Sequence, residues 1–112
     1  MPNDCAIYDP AILSSLIGNE EDLINEYKQE FIKQSITSLK TIALNYNKHD
    51  YHAMKEDAHY LKTSAKALGA LQCAQRLQAI ENAALKEDKN LLKQLVMELK
   101  TDVQNIKKVF KP

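Results

Sequence analysis

Between Met54 and Leu68 the residues Met54, Ala58, Leu61, Ala65 and Leu68 recur in steps of four, three, four and three. At about 100° per residue, that spacing puts all five on one stripe of an α-helix. Two glycines and three prolines in 112 residues, with no tryptophan, leave few of the turn signals that a chain of short strands requires. Ala, Leu, Lys, Glu and Gln are abundant, and all of them favour helix. The expectation is an all-α chain.

Capping signals divide it into one short helix and four long ones. Asp9 caps a helix opened by Pro10, with Ile12, Leu13, Leu16 and Ile17 on its apolar side and Gly18 as its stop. Asn19 is expected to cap the next helix, whose first turn, Glu20-Glu21-Asp22, suits the positive end of a helix dipole. Its apolar stripe is read as Leu23, Ile24, Tyr27, Phe31, Leu39, Ile42 and Tyr46. After the polar break at Asn47-Lys48-His49-Asp50, Asp50 caps a third helix, which runs to Leu68 and stops at Gly69. A fourth helix covers about residues 71–85, with Ala74, Leu77, Ile80 and Ala84 inward. Asp88 or Asn90 caps the last, which buries Leu92, Leu95, Leu99, Val103, Ile106 and Phe110.

Short connections make consecutive helices antiparallel neighbours. The expected architecture is therefore an up-down-up-down antiparallel four-helix bundle over about residues 20–110, with a short extra N-terminal helix at about 10–17. One domain, residues 1–112, is long enough to bury a single core without disulfide or metal staples.

Charge narrows the function classes. Fifteen basic and fifteen acidic side chains balance, so a general attraction to nucleic acid or to an anionic membrane is not expected. Cys5 and Cys73 lack a CxxC spacing and read as reduced thiols, Cys73 as a small buried side chain at a helix start. No basic leader or membrane-length apolar run is evident, and a cytoplasmic location is expected. The initial Met and the full helix set favour a free-standing protein.

His59 stands out on the third helix because it points well away from the core stripe. Lys62 and Lys66, at offsets of three and seven, lie on the same side, and Lys55 lies one turn before it. An imidazole in a basic, solvent-facing strip can attack a phosphoryl group, and the ammonium groups can neutralise the phosphate it acquires. His49 reads as a loop residue and His52 as a solvated neighbour. Glu56-x-x-His59 has the spacing of a di-iron motif, but such sites need a second copy facing the interior, and none is present. Lys100, Lys107, Lys108 and Lys111 read as a solvated C-terminal face. Ser64 lacks a base to make it a nucleophile, and no glycine-rich phosphate cradle is present.

The run His59-Tyr60-Leu61-Lys62-Thr63-Ser64-Ala65-Lys66-Ala67-Leu68-Gly69-Ala70 resembles the signature of the histidine-containing phosphotransfer (HPt) domain of two-component phosphorelays. Leu77, Ile80 and Glu81 extend the likeness, standing where the family has its apolar stripe and a following acidic or amide residue. Thr63 is the departure, since the family usually has glycine there, leaving room for a partner to approach.

The resemblance implies a phosphocarrier. One receiver domain passes a phosphoryl group from its aspartate to His59, which attacks through Nε2, and a second receiver removes it. Lys62 and Lys66 stabilise the phosphate, with Lys55 in a lesser role. Response-regulator receivers and a hybrid sensor histidine kinase are the implied partners. Docking is expected to cover Thr63 and an apolar patch that includes Ile12, Leu16 and Tyr27. The receiver supplies the Mg²⁺ and acidic cluster, so the chain needs no cofactor or metal and is a relay component, not an enzyme. A monomer is expected. The alternative is a non-catalytic helical adaptor that binds a receiver or a partner helix without phosphotransfer.

Overall fold

A computed structural model describes residues 6–110, so Cys5 and Lys111 lie outside it. Five helices follow in order: α1 (Pro10–Ile17), α2 (Glu21–Asn47), α3 (Tyr51–Leu68), α4 (Leu71–Leu85) and α5 (Lys89–Phe110). Each of the four long helices packs against two others: α3 against α2 and α4, α5 against α4 and α2. That ring is the antiparallel bundle expected from the short connections. At about 1.5 Å per residue, the 27 residues of α2 span nearly the whole 42 Å long axis of the molecule. α1 lies outside the ring, against α3.

The core stripes of α3, α4 and α5 are buried where the spacing put them. Met54, Ala58, Leu61 and Ala65 are fully enclosed, as are Leu77, Ile80, Leu92, Leu99 and Ile106. Each large aliphatic side chain among them contributes about 2 kcal/mol of burial.

α2 differs from expectation. Its buried residues are Phe31, Ile32, Ser35, Ser38 and Ile42, whereas Leu23 and Tyr27 are 38% and 46% exposed. Ser35 can be enclosed because its hydroxyl donates to the Ile32 carbonyl at 2.9 Å, leaving no unpaired polar group. The cap differs as well. Glu20, not Asn19, is the N-cap residue, and no side chain caps the helix. On α1, Leu13 alone is buried, and Leu16 is 65% exposed.

All three turns between the long helices share one construction. His49, Gly69 and Glu87 take positive φ, at 58°, 96° and 52°. The next residue's amide then reaches back five positions: Asp50 to the Asn45 carbonyl, Ala70 to Ala65, and Asp88 to Ala83. These are Schellman closures, which satisfy carbonyls orphaned at a helix end. Asp50 and Asp88 serve the following helix too, their carboxylates accepting from the amides of Ala53 and Leu91.

Only Gly69 is a glycine, and packing explains why. Its carbonyl accepts the Asp9 amide at 2.8 Å, and a Cβ there would overlap the Asp9 carbonyl. The α3 stop thus doubles as the anchor for α1, whose own cap is Asp9. A second clasp holds the same strand of chain. Tyr8 packs edge-on against Phe110, and the Lys28 ammonium lies over both rings at 5.5 and 5.3 Å.

Candidate functional site

α3 carries His59 outward because its core stripe occupies the opposite face. The imidazole side chain is 64% exposed. Its Nδ1 lies 3.4 Å from Oε1 of Glu81 on α4, a long contact that nonetheless orients the ring. A carboxylate can only accept, so the tautomer that pairs with Glu81 carries its proton on Nδ1 and leaves the lone pair on Nε2. α3 and α4 pack against each other along their buried stripes, and their register brings Glu81 to His59 across 22 positions of sequence.

Lys62 is less free than a solvent-facing strip suggests. Its ammonium lies 2.7 Å from Glu81 Oε2 and donates to Gln78 Oε1 at 2.8 Å, leaving the side chain 13% exposed. Glu81 Oε2 is itself buried, and this ion pair is its partner, close in distance although not aligned as a hydrogen bond. His59, Lys62 and Glu81 therefore form one connected unit. Lys66 is exposed and Lys55 half-buried, neither with an ion-pair partner among the described residues. Thr63 is exposed, and its hydroxyl donates to the His59 carbonyl at 3.2 Å. Glycine would lack this side chain altogether.

The expected docking residues divide. Leu16 and Tyr27 border a groove of about 370 Å³ between α1, α2 and α3. Leu13, Phe31 and Leu68 form its apolar floor, and Ser64 and Ala67 leave it open on the α3 side. Ile12 is half-buried and does not border it. Spacing missed Glu30, among the described residues the only charged one lining this groove. It also missed the α4–α5 pairing of Arg76 with Asp102, at 2.7 Å, and with Glu98, at 2.9 Å. One arginine among so many lysines was the available signal, since its planar fork suits paired carboxylates.

The remaining histidines lie where the sequence placed them. His49 sits in the α2–α3 turn, while His52 and Glu56 are exposed. Among the described residues, no three His, Cys, Asp or Glu side chains converge to hold a metal ion, and no helix is long and apolar enough to cross a membrane.

The Hpt domain family model matches residues 26–109, from α2 almost to the end of α5, and the chain belongs to that family. It is thus a carrier of the phosphorelay class, whose members hold phosphoryl groups on histidine and work with receiver domains and kinases. Among solved structures, the chain is similar to histidine-containing phosphotransfer protein B (HptB) from Pseudomonas aeruginosa PAO1. The two share 20% identity and superpose with a TM-score of 0.86 over 93% of this chain and 90% of that one. At that identity the likeness establishes the fold. No curated protein sequence matches the chain at a significant level.

Proposed function

We propose that His59 is the phosphoacceptor, taking a phosphoryl group from the aspartate of one receiver domain and yielding it to another. The observation that carries this reading is the exposed imidazole whose Nδ1 faces Glu81, leaving Nε2 free. In the forward step the Nε2 lone pair attacks phosphorus and an N–P bond forms. The acyl phosphate P–O bond breaks, and its electron pair departs on the aspartate carboxylate. The ring gains positive charge, which Nδ1–H directs at Glu81. The return step reverses each change.

Glu81 acts here as a positioning residue. It holds the tautomer and offsets the imidazolium charge without touching the phosphoryl group. Lys66 and Lys55 are the ammonium groups available to the transferred phosphate. Lys62 joins them only by loosening its bond to Glu81, so its first role is to hold that carboxylate in place. Mg²⁺ and the acidic residues around the transferring group belong to the receiver. The protein acts as a monomer in the cytoplasm, with a hybrid sensor kinase upstream.

Incubation with a phosphorylated receiver tests the assignment. The chain should acquire a label that is acid-labile and base-stable, and His59→Gln should abolish it while leaving the helical fold intact. Label retained by His59→Gln would move the site elsewhere. Stable receiver binding without any label would make the protein an adaptor.

A further inference from the structure

We propose that Glu30 selects and orients the docking receiver by pairing with a lysine or arginine that flanks an apolar side chain on the receiver surface. The inference rests on the phosphocarrier reading and concerns which receivers His59 can serve. Two hollows adjoin on the α2–α3 face. The first is the apolar groove beneath α1; the second, of about 400 Å³, is lined by Lys33, Thr37, Ser38 and Tyr60. Glu30 and Gln34 line both. Ser64 and Ala67 of the His59 helix line the first hollow and Tyr60 the second, and Glu30 lines both, so a partner that covers His59 and fills either hollow meets its carboxylate.

Glu30 is exposed and makes no ion pair among the described residues. Lys33, one turn further along α2, lines only the second hollow and is not bonded to it. The surface around His59 therefore carries two signs. Lys55 and Lys66 share the His59 side of α3, and Glu30 is the charged residue that α2 presents to the apolar groove. A receiver must bring its negatively charged phosphoryl site over His59 and the lysines. The edge of the receiver that reaches the groove must then offer an apolar side chain for the hollow and a cation for Glu30. Turned the other way, the same receiver would set its phosphate toward Glu30 and its cation against the lysines, which is unfavourable at both ends. One orientation is selected by charge, and receivers without the cation are disfavoured.

The test uses the full chain and the receivers of its host, each phosphorylated with a small acyl phosphate. Initial transfer rates are compared for wild type, Glu30→Gln and Glu30→Lys at low and high salt, with thermal melting confirming that the variants fold. For the receiver that wild type prefers, Glu30→Lys should slow transfer about 10-fold and Glu30→Gln by less. The difference should shrink at 1 M salt, where screening shortens to about 3 Å. Reversing the facing Lys or Arg of that receiver to Glu should restore transfer to the Glu30→Lys variant. Unchanged rates in Glu30→Lys for every receiver, or failure of the reversed receiver to recover any rate, would overturn the proposal. Wild type that takes phosphate from no receiver would instead overturn the carrier reading on which it rests.

Discussion

At the residue scale, the site is one imidazole and the groups that set its chemistry. Glu81 is the most consequential of these, because its two oxygens face His59 Nδ1 and Lys62 separately. Glu81→Ala removes both contacts and sets the ring free to rotate, and we expect transfer to slow about 10-fold, less than the roughly 10²-fold or more lost with a general acid or base, because Glu81 positions the ring without moving a proton. Glu81→Gln still offers an acceptor oxygen and should lose less. The split is read from transfer rates over a range of receiver concentrations, and equal losses in both variants would make Glu81 merely structural. Thr63 belongs to this scale too. Its hydroxyl is turned back onto the helix, and the exposed side chain adds bulk beside His59 that glycine would not. Thr63→Gly should keep or raise the transfer rate while lowering helix stability by about 0.5 kcal/mol, whereas Thr63→Arg should block docking. Identical rates for the two would remove the steric role. His59 and its lysines were legible in the sequence because they share one helix, where 100° per residue fixes direction. The pairing of Lys62 with Glu81 was not, because it depends on the register between α3 and α4.

At the scale of elements, the three Schellman turns show how the same backbone can ask for different residues. His49 and Glu87 accept positive φ as ordinary L residues because no other segment crowds them into glycine, whereas the Asp9 backbone crowds Gly69. Gly69→Ala combines left-handed strain with overlap and should destabilise the fold by about 2–4 kcal/mol. Glu87→Gly, where only the strain is relieved, should stay within about 1 kcal/mol of wild type. Urea unfolding separates these outcomes, and a near-neutral Gly69→Ala would mean that α1 is not anchored as described. The stripes of α3, α4 and α5 were readable because each consists of apolar residues at helical spacing. α2 was misread for a physical reason. Phe31, Ser35, Ser38 and Ile42 keep the steps of four, three and four, but two of them are serines that read as polar until their close packing is seen. Leu23 and Tyr27 read as core and instead lie in the open, and Tyr27 borders the docking groove. An exposed apolar residue and a buried one have the same letter, and only the packing of α1 and α3 distinguishes them.

At the scale of the whole molecule, the face that carries His59 rests on a closely packed core. Cys73 is a probe of that core. It is 1% exposed at the start of α4, and its thiol is pushed up from 9.0 to about 12, first by burial and then by the Asp102 carboxylate, with Arg76 opposing. The folded state therefore keeps this proton where the unfolded chain has already released it. Between about pH 9 and pH 12 the unfolded state binds fewer protons at this group, so its contribution to stability falls as pH rises through that window. It is fully present below the window. With Cys5→Ser as background, alkylation at pH 8 should be slower in the folded protein than in denaturant by at least about 10³-fold, as expected when reaction requires global unfolding of a domain stable by several kcal/mol. Melting temperature should decline above pH 9 more steeply than in a Cys73→Ala variant. Alkylation at the denatured rate in native buffer would mean that α4 opens locally. Glu81 would then part from His59 whenever α4 opened, and the single ring orientation required for transfer would not persist.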